Sequence, residues 1–262
     1  MNATATDVRP RRRWLRYSLR SLLILTAACG VALAMWVVPA KRQRRAVTAL
    51  REAGCRVSYE FDAMGAEKTK PPQWSIDLLG VNYLANVDSI SLPWECGDRE
   101  LALAADCRNL QRLQLQLSRV SDAGLVQLAS LHRLRRLSLE DTRVGDEGLS
   151  HLAGLTNLES LGLSDTIITD AGLAHLSGLT NLQRLTLEGI PIGDEGLAHL
   201  SGLTSLQELD LRVSNVTDDG LVHLQGLKNL QRLKLFQSEV SSFGVAKLQE
   251  ALPQCKIEAD KW

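Results

Sequence analysis

Four histidines recur every 24 residues, and their spacing is the first feature of this chain that suggests chemistry: His151, His175, His199 and His223. Imidazole is a common metal ligand, and equivalent positions in stacked repeats would lie about 5 Å apart. Three of these histidines, however, follow an acidic residue by four positions, which favours local pairs on a helix. A metal site also needs a closed set of converging ligands. We therefore expect exposed histidines and no bound metal, with a metal-binding module as one alternative.

A second periodic column is acidic. It comprises Asp122, Asp146, Asp170, Asp194 and Asp218. A row of carboxylates could hold cations. Each of these residues, however, lies at the start of a short predicted helix, where the helix dipole favours negative charge and backbone N–H groups need acceptors. We interpret these aspartates as acidic residues that stabilise the first turn of each helix.

The sequence contains no recognisable catalytic motif. It has no nucleophile elbow, Gly-rich phosphate loop, zinc-protease helix or Cys-x-x-Cys pair. The constant period also leaves no long loop between residues 110 and 253 in which a site could be built. We therefore expect no enzymatic activity and no cofactor.

The period itself predicts the fold. Six blocks have the form L-x-x-L-x-L-x-x-(S/T)-x-(V/I)-x-(D/S)-x-G-(L/V)-x-x-L, and they open at Leu110, Leu134, Leu158, Leu182, Leu206 and Leu230. Within each block, buried leucines alternate with polar residues as in a strand with one buried face. A short helix follows. Equivalent strands must stack in a parallel sheet, so we predict an α/β solenoid with the sheet on its concave face and the helices on its convex face.

One glycine column falls inside the predicted helices: Gly124, Gly148, Gly172, Gly196, Gly220 and Gly244. Glycine costs about 1 kcal/mol relative to alanine within a helix. Its recurrence predicts a close approach of the backbones of stacked turns.

These blocks resemble the leucine-rich repeat family, whose core L-x-x-L-x-L-x-x-(N/C)-x-L is matched by residues 158–168. The resemblance covers residues 87–258, and Ile168–Leu176 is similar to bacterial repeats of the planctomycete type. The chain departs from the family in one column, where a hydroxyl replaces the usual Asn: Ser118, Thr142, Thr166, Ser214 and Ser238. We expect these hydroxyls to form a weaker ladder of hydrogen bonds.

The residues outside the repeats divide into four segments. Residues 1–20 form a basic tail, and residues 21–40 carry no charge over about the length that crosses ~30 Å of hydrocarbon. We predict a single transmembrane helix over 21–40, with a cleaved signal peptide or a lipoprotein site at Cys29 as alternatives. Residues 41–86 are a predicted N-terminal cap, with a helix broken at Gly54, a strand from Arg56, a loop over 62–74 and a helix over 76–84. Residues 259–262 form a short tail.

The neutral net charge conceals an asymmetry. Residues 1–45 hold ten Lys and Arg and one Asp, and the rest of the chain holds 20 basic and 29 acidic residues. Six basic residues precede the uncharged run and four follow it, which predicts a cytoplasmic N-terminus and an extracytoplasmic solenoid. The acidic solenoid argues against a nucleic-acid partner.

The cysteines do not indicate a disulfide framework. The chain has five of them, and Cys107 occupies a column that is otherwise leucine, so it is interpreted as a small core residue. A bond between Cys96 and Cys107 is one possibility in an oxidising compartment.

The outward face of the sheet is the remaining candidate site. A patch of small residues flanked by arginines lies at its centre, and arginines and aromatic residues are typical binding anchors. We predict a membrane-anchored leucine-rich-repeat protein that binds another protein through this face, with a structural component of the cell envelope as the alternative. The candidate contacts are Arg112, Arg136, Arg184, Phe236, Ser160, Gly162 and Ser164.

Overall fold

A computed structural model describes residues 19–59 and 86–260. Internal contacts divide the chain into two compact units, Met1–Pro39 and Ala40–Trp262. The predicted loop over 62–74 and the predicted helix over 76–84 lie outside the described residues, as does most of the basic tail over 1–20.

Strands and helices alternate with the period of the sequence. The strands are β1 Arg56–Tyr59, β2 Val87–Ser91, β3 Arg112–Gln114, β4 Arg136–Ser138, β5 Ser160–Gly162, β6 Arg184–Thr186, β7 Glu208–Asp210, β8 Arg232–Lys234 and β9 Lys256–Glu258. The α-helices are α1 Leu19–Glu52, α2 Asp98–Ala104, α3 Asp122–Leu125, α4 Asp146–Ser150, α5 Asp170–Leu173, α6 Asp194–Leu200 and α7 Ser242–Ala251. Short 3-10 turns occupy Val126–Ser130, Ala174–Leu176 and Gly220–Leu224.

Helix α1 covers the uncharged segment and extends beyond its predicted boundary at residue 40. It contains Pro39 and ends at Glu52, just before Gly54, whose φ of +80° turns the chain into β1. In its last turns Val47 and Leu50 are buried in the hydrophobic core, which explains why the helix continues this far.

The predicted transmembrane helix over 21–40 is not supported. In the parts of the chain that the structure describes, no helix combines the length and the apolar character needed to cross a bilayer.

The described strands form one sheet in chain order, from β1 to β9. β1 pairs antiparallel with β2, and every later pair is parallel. The register aligns the leucine columns, so that Leu137 pairs with Leu161 and Leu161 with Leu185. The leucines of these columns are at most 2% exposed, and each contributes roughly 1.5–3 kcal/mol when it is fully buried. The sheet and its leucine core confirm the predicted solenoid.

The aspartate column ties each repeat to the next. The five carboxylates of the column, and that of Asp98 in the same position one repeat earlier, each accept the backbone N–H of the residue 23 positions later, at 2.7–2.9 Å. Four of them also accept the hydroxyl of that residue, as Asp146 does from Thr169 at 2.6 Å. Asp122, Asp146, Asp170 and Asp194 begin their helices, as predicted, whereas Asp218 lies in a turn before the 3-10 turn Gly220–Leu224. All of these aspartates also bridge the repeats. The donors are Ser121, Gly145, Thr169, Gly193, Thr217 and Ser241.

The glycine column has a different cause from the one predicted. A Cβ added at Gly148 would overlap the carboxylate of Asp122, and one added at Gly196 would overlap that of Asp170. Glycine is therefore favoured because the aspartate side chain of the preceding repeat occupies the space, and at Gly220 the Cα of Asp194 is also close.

The hydroxyl column does not form the expected ladder between repeats. Thr142 Oγ1 donates to the carbonyl of Leu139 at 2.6 Å, and Thr166 Oγ1 donates to that of Leu163 at 2.6 Å. These bonds lie within one repeat and satisfy a carbonyl at the end of each strand. The Ser214 hydroxyl is buried without a partner in the described structure.

The possible bond between Cys96 and Cys107 is absent from the described structure. Cys107 is a buried free thiol in its leucine column, where burial raises its pKa to about 12. Cys96 instead contacts Cys55, with their Sγ atoms 3.7 Å apart.

Candidate functional site

The candidate site is the outward face of β3–β8, which we call the concave face. Its side chains form three rows across the strands. The first row is Arg112, Arg136, Ser160, Arg184, Glu208 and Arg232; the second is Gln114, Ser138, Gly162, Thr186, Asp210 and Lys234. The third, just past the strand ends, is Gln116, Glu140, Ser164, Glu188, Arg212 and Phe236.

A cavity of about 450 Å³ lies on the concave face. Five of the predicted contacts line it: Arg112, Arg136, Ser160, Gly162 and Arg184. Ser164 and Phe236 do not. The structure therefore brings the three arginines, Ser160 and Gly162 together around one cavity and leaves Ser164 and Phe236 outside it.

Phe236 lies in the third row at the C-terminal end of the face. It is 37% exposed, and its carbonyl accepts the N–H of Val213, which is 46% exposed. The two apolar side chains belong to neighbouring repeats. Neither residue lines the cavity.

Ion pairs occupy the C-terminal half of the concave face. Arg212 lies at their centre, with Nε 2.8 Å from Asp210 Oδ1 and an Nη atom 2.5 Å from Glu188 Oε2. Lys234 Nζ donates to the other oxygen of Asp210 at 2.9 Å, and Arg232 pairs with Glu208 at 3.3 Å. Most charged side chains in this half are therefore paired with an opposite charge of the protein itself.

Asp210 is the most buried carboxylate of this network, with 7% of its side chain exposed. Burial by itself raises the pKa of Asp210, but hydrogen bonds from Arg212 and Lys234 outweigh that effect and hold the pKa below its ordinary value of 3.8. The hydrogen bond to Asp210 in turn raises the pKa of Arg212. Asp210 and Arg212 are therefore both ionised at neutral pH.

The predicted anchors differ in their surroundings. Arg112 is paired with the buried carboxylate of Asp88, so it is less available to a partner than the sequence suggested. Arg136 and Arg184 are exposed, and no carboxylate in the described residues pairs with either. These two arginines are the available cations of the first row.

Two polar groups beside the arginines were not predicted. The Thr186 hydroxyl is buried and has no hydrogen-bond partner within the described structure. The Glu140 carboxylate accepts the hydroxyl of Ser138 and lies over Gly162, where a Cβ would overlap it. Inward and outward residues alternate along each strand, and this pattern predicted that both side chains face outward. The sequence did not predict that the Thr186 hydroxyl lacks a hydrogen-bond partner, because that depends on which side chains the neighbouring strands place beside it.

The histidine column lies on the helical side of the repeats. His175, His199 and His223 are exposed, and His151 is half-buried. Over residues 19–59 and 86–260, no group of three or more His, Cys, Asp or Glu side chains is placed to hold a metal ion. Nothing in those residues supports the alternative of a metal-binding module.

Comparisons with known proteins agree with this architecture. A family model described as "Leucine Rich repeat" matches residues 106–129, 131–153 and 202–224. No curated protein matches the chain significantly.

Several solved structures are similar to the chain. An internalin C2 from Listeria monocytogenes matches with a TM-score of 0.52 and 23% identity over 66% of this chain and 81% of that one. An internalin (inlF) from the same species matches with a TM-score of 0.47 and 22% identity over 62% of this chain. A leucine-rich-repeat protein of Leptospira interrogans matches with a TM-score of 0.47 and 21% identity over 67% of this chain. The chain spans only 50% of the length of each of the last two. Three segments of the chain therefore match the leucine-rich-repeat family model, and its solenoid fold is similar to that of the internalin C2 structure.

Proposed function

We propose that the solenoid binds another protein through its concave face and has no enzymatic activity. Solenoids of this kind provide extended concave surfaces for binding. The observation that carries the proposal is the pair of exposed arginines, Arg136 and Arg184, which border the cavity and have no carboxylate partner in the described part of the chain. Arginine is enriched among the residues that dominate binding energy at interfaces. The underlying strands fix the positions of these side chains.

A position-specific crosslinking experiment tests the proposal. A photo-crosslinking amino acid is placed at Ser164 on the concave face, or at the exposed Ala171 on α5 as a control. We expect the full chain to crosslink a discrete protein from position 164 and not from position 171. If neither position captures a protein, the result favours a structural component of the cell envelope.

Substitutions then assign the contacts. Arg136→Ala, Arg184→Ala and Phe236→Ala should each weaken binding of the captured protein by about 1 kcal/mol or more, without changing the thermal stability of the chain. His175→Gln and His199→Gln, on the helical side, should leave binding intact. If the histidine changes abolish binding and the concave substitutions have no effect, the interface lies on the helices and the proposal is wrong.

Membrane attachment and an extracytoplasmic solenoid form a separate part of the proposal. Their support is the uncharged run over 21–40 and the larger number of basic residues before it than after it. Protease added to intact spheroplasts should digest the solenoid and spare an N-terminal tag. A protected solenoid would contradict the orientation, and recovery of the chain in the soluble fraction would contradict the anchor.

A further inference from the structure

We propose that the partner segment bound on the concave face is acidic and that one of its carboxylates lies between Arg136 and Arg184. This inference rests on the proposed function and specifies the chemistry of the segment that the face accepts.

The charge of the concave face differs from that of the rest of the solenoid. Residues 46–262 hold 20 basic and 29 acidic residues. The three outward rows have the opposite balance. Their basic members are Arg112, Arg136, Arg184, Arg212, Arg232 and Lys234, and their acidic members are Glu140, Glu188, Glu208 and Asp210. An acidic protein segment is therefore attracted to this face, while the surrounding surface repels it.

Internal pairing concentrates the available positive charge at the centre of the face. Arg112 is held by Asp88, and Arg212, Arg232 and Lys234 are held by carboxylates of β7 and the third row. Glu208 faces Arg184 in the register, but its side chain pairs with Arg232. Only Arg136 and Arg184, of these six cations, lack a carboxylate partner among the described residues.

The space between Arg136 and Arg184 can accommodate one carboxylate. Arg136 and Arg184 lie on either side of Ser160 in the register, so their Cα atoms are about 10 Å apart, or two strand spacings. The small Ser160 leaves space between the two long side chains, and each guanidinium can offer paired donors to a carboxylate. The unpaired hydroxyl of Thr186 provides a further polar group next to this position.

Glu140 limits the region that accepts negative charge. Its carboxylate lies over Gly162 in the second row and is bonded to Ser138. A second acidic side chain placed over the second row would be repelled by it. The carboxylate of the partner segment should therefore lie over the first row, away from Glu140.

A crosslinking probe tests this chemistry on the full chain. The probe is an octaglutamate peptide carrying one benzoylphenylalanine, and octaglutamine with the same crosslinker is its neutral counterpart. Mass spectrometry maps the crosslinks, which separates the concave face from binding to the basic residues 1–45. We expect octaglutamate to crosslink to β5 and its neighbours more efficiently than octaglutamine, and less efficiently as the salt concentration rises.

Matched variants give the decisive comparison. Arg136→Gln and Arg184→Gln should each lower the crosslink yield at β5 by about threefold or more. Arg133→Gln removes the same charge from an exposed residue outside the three rows and should leave the yield unchanged. Equal losses in all three variants, or equal yields with the two peptides, would overturn the inference. If these probes fail while position 164 still captures a protein, the acidic chemistry is wrong and the proposed function stands.

A second, independent inference concerns two thiols near the N-terminal end of the sheet. Cys55 and Cys96 are both buried, at 5% and 3% exposure, and their Sγ atoms are 3.7 Å apart. Cys55 immediately precedes β1, and Cys96 lies between β2 and α2. We infer that the two cysteines form a disulfide that ties β1 to the first repeat when the chain folds in an oxidising compartment.

The reaction requires an external disulfide such as oxidised glutathione. One cysteine thiolate attacks the donor disulfide and releases one donor thiol, and the second cysteine thiolate then displaces the other. The two cysteines lose two protons and two electrons, and the donor gains them. Burial raises the pKa of Cys55 to about 12, so exchange is slow once this region has packed and takes place during folding.

Refolding the full chain with a glutathione redox buffer tests the pairing. We expect a peptide linked between Cys55 and Cys96 in a non-reducing digest, and a higher Tm for the oxidised chain than for the reduced one, because the bond joins residues 41 positions apart in the sequence. Cys96→Ala should lose both effects, and Cys107→Ala should keep both. Absence of the linked peptide, or a linkage through Cys107, would overturn the inference.

Discussion

The carboxylate of Asp146 lies against Gly172 of the next repeat. Its oxygens accept the N–H of Thr169 at 2.8 Å and the hydroxyl of Thr169 at 2.6 Å, and a Cβ on Gly172 would overlap Oδ1. The same contact recurs in neighbouring repeats, from Asp98 against Gly124 to Asp218 against Gly244. Two columns of the sequence, aspartate and glycine, therefore form a single contact between repeats.

Gly172→Ala should destabilise the solenoid. The added methyl group displaces the Asp146 carboxylate, and overpacking of this kind costs about 1–3 kcal/mol, whereas helix propensity returns only about 0.5–1 kcal/mol. Urea unfolding should therefore show a net loss of stability. Gly178→Ala is the control, because a Cβ there has no neighbour within 4 Å, and it should change stability by less than about 0.5 kcal/mol.

The double variant of Asp146 and Gly172 should show strong coupling. Asp146→Ala alone removes the acceptor of the Thr169 hydrogen bonds and should cost about 1 kcal/mol. With the carboxylate absent, Gly172→Ala should no longer destabilise, which gives a coupling energy of about 1–2 kcal/mol in a double-mutant cycle. Additive effects would mean that the two residues act separately.

Leu163→Ala and Ser164→Ala should differ sharply, although the residues are adjacent. Leu163 is fully buried, so its truncation should cost about 2–5 kcal/mol. Ser164 lies on the outward side, and its truncation should cost less than about 0.5 kcal/mol. Equal urea midpoints for the two variants would contradict the assignment of the inner and outer faces.

Val213→Asn should stabilise the chain. Val213 has a φ of +57°, a conformation that costs a β-branched residue about 1–2 kcal/mol and that Asn tolerates better. Thermal unfolding should therefore show a higher Tm for the variant. Val222→Asn replaces another exposed valine, outside the positive-φ positions, and should give no such increase.

The contribution of Asp210 to the free energy of unfolding should depend on pH. Because its folded pKa is below the ordinary value of 3.8, its stabilising effect is present above that pH and is lost as the pH falls through the folded pKa. Asp210→Asn should therefore be less stable than the unsubstituted chain at pH 7, by about 2 kcal/mol, and the difference should shrink below about pH 4. Urea midpoints measured across this range check the prediction, with Glu239→Gln at an exposed residue as the matched substitution.

The sequence alone determined the repeat, the strand register and the inner and outer faces. These follow from local patterns, because a period of two residues within each strand and a constant spacing of 24 residues leave one way to bury the columns of Leu113 and Leu115. The sequence also indicated that aspartates begin the helices and that arginines lie around Ser160.

The tertiary structure decided which side chains meet. It showed that Asp146 occupies the space above Gly172, that Cys96 faces Cys55 instead of Cys107, and that Arg112 is held by Asp88. Each of these contacts joins residues 23 or more positions apart, so it depends on how the repeats stack and how β1 folds back on β2. The periodicity of the sequence specifies the column in which a residue lies, whereas the distances between side chains of neighbouring repeats determine which charges remain available to a partner.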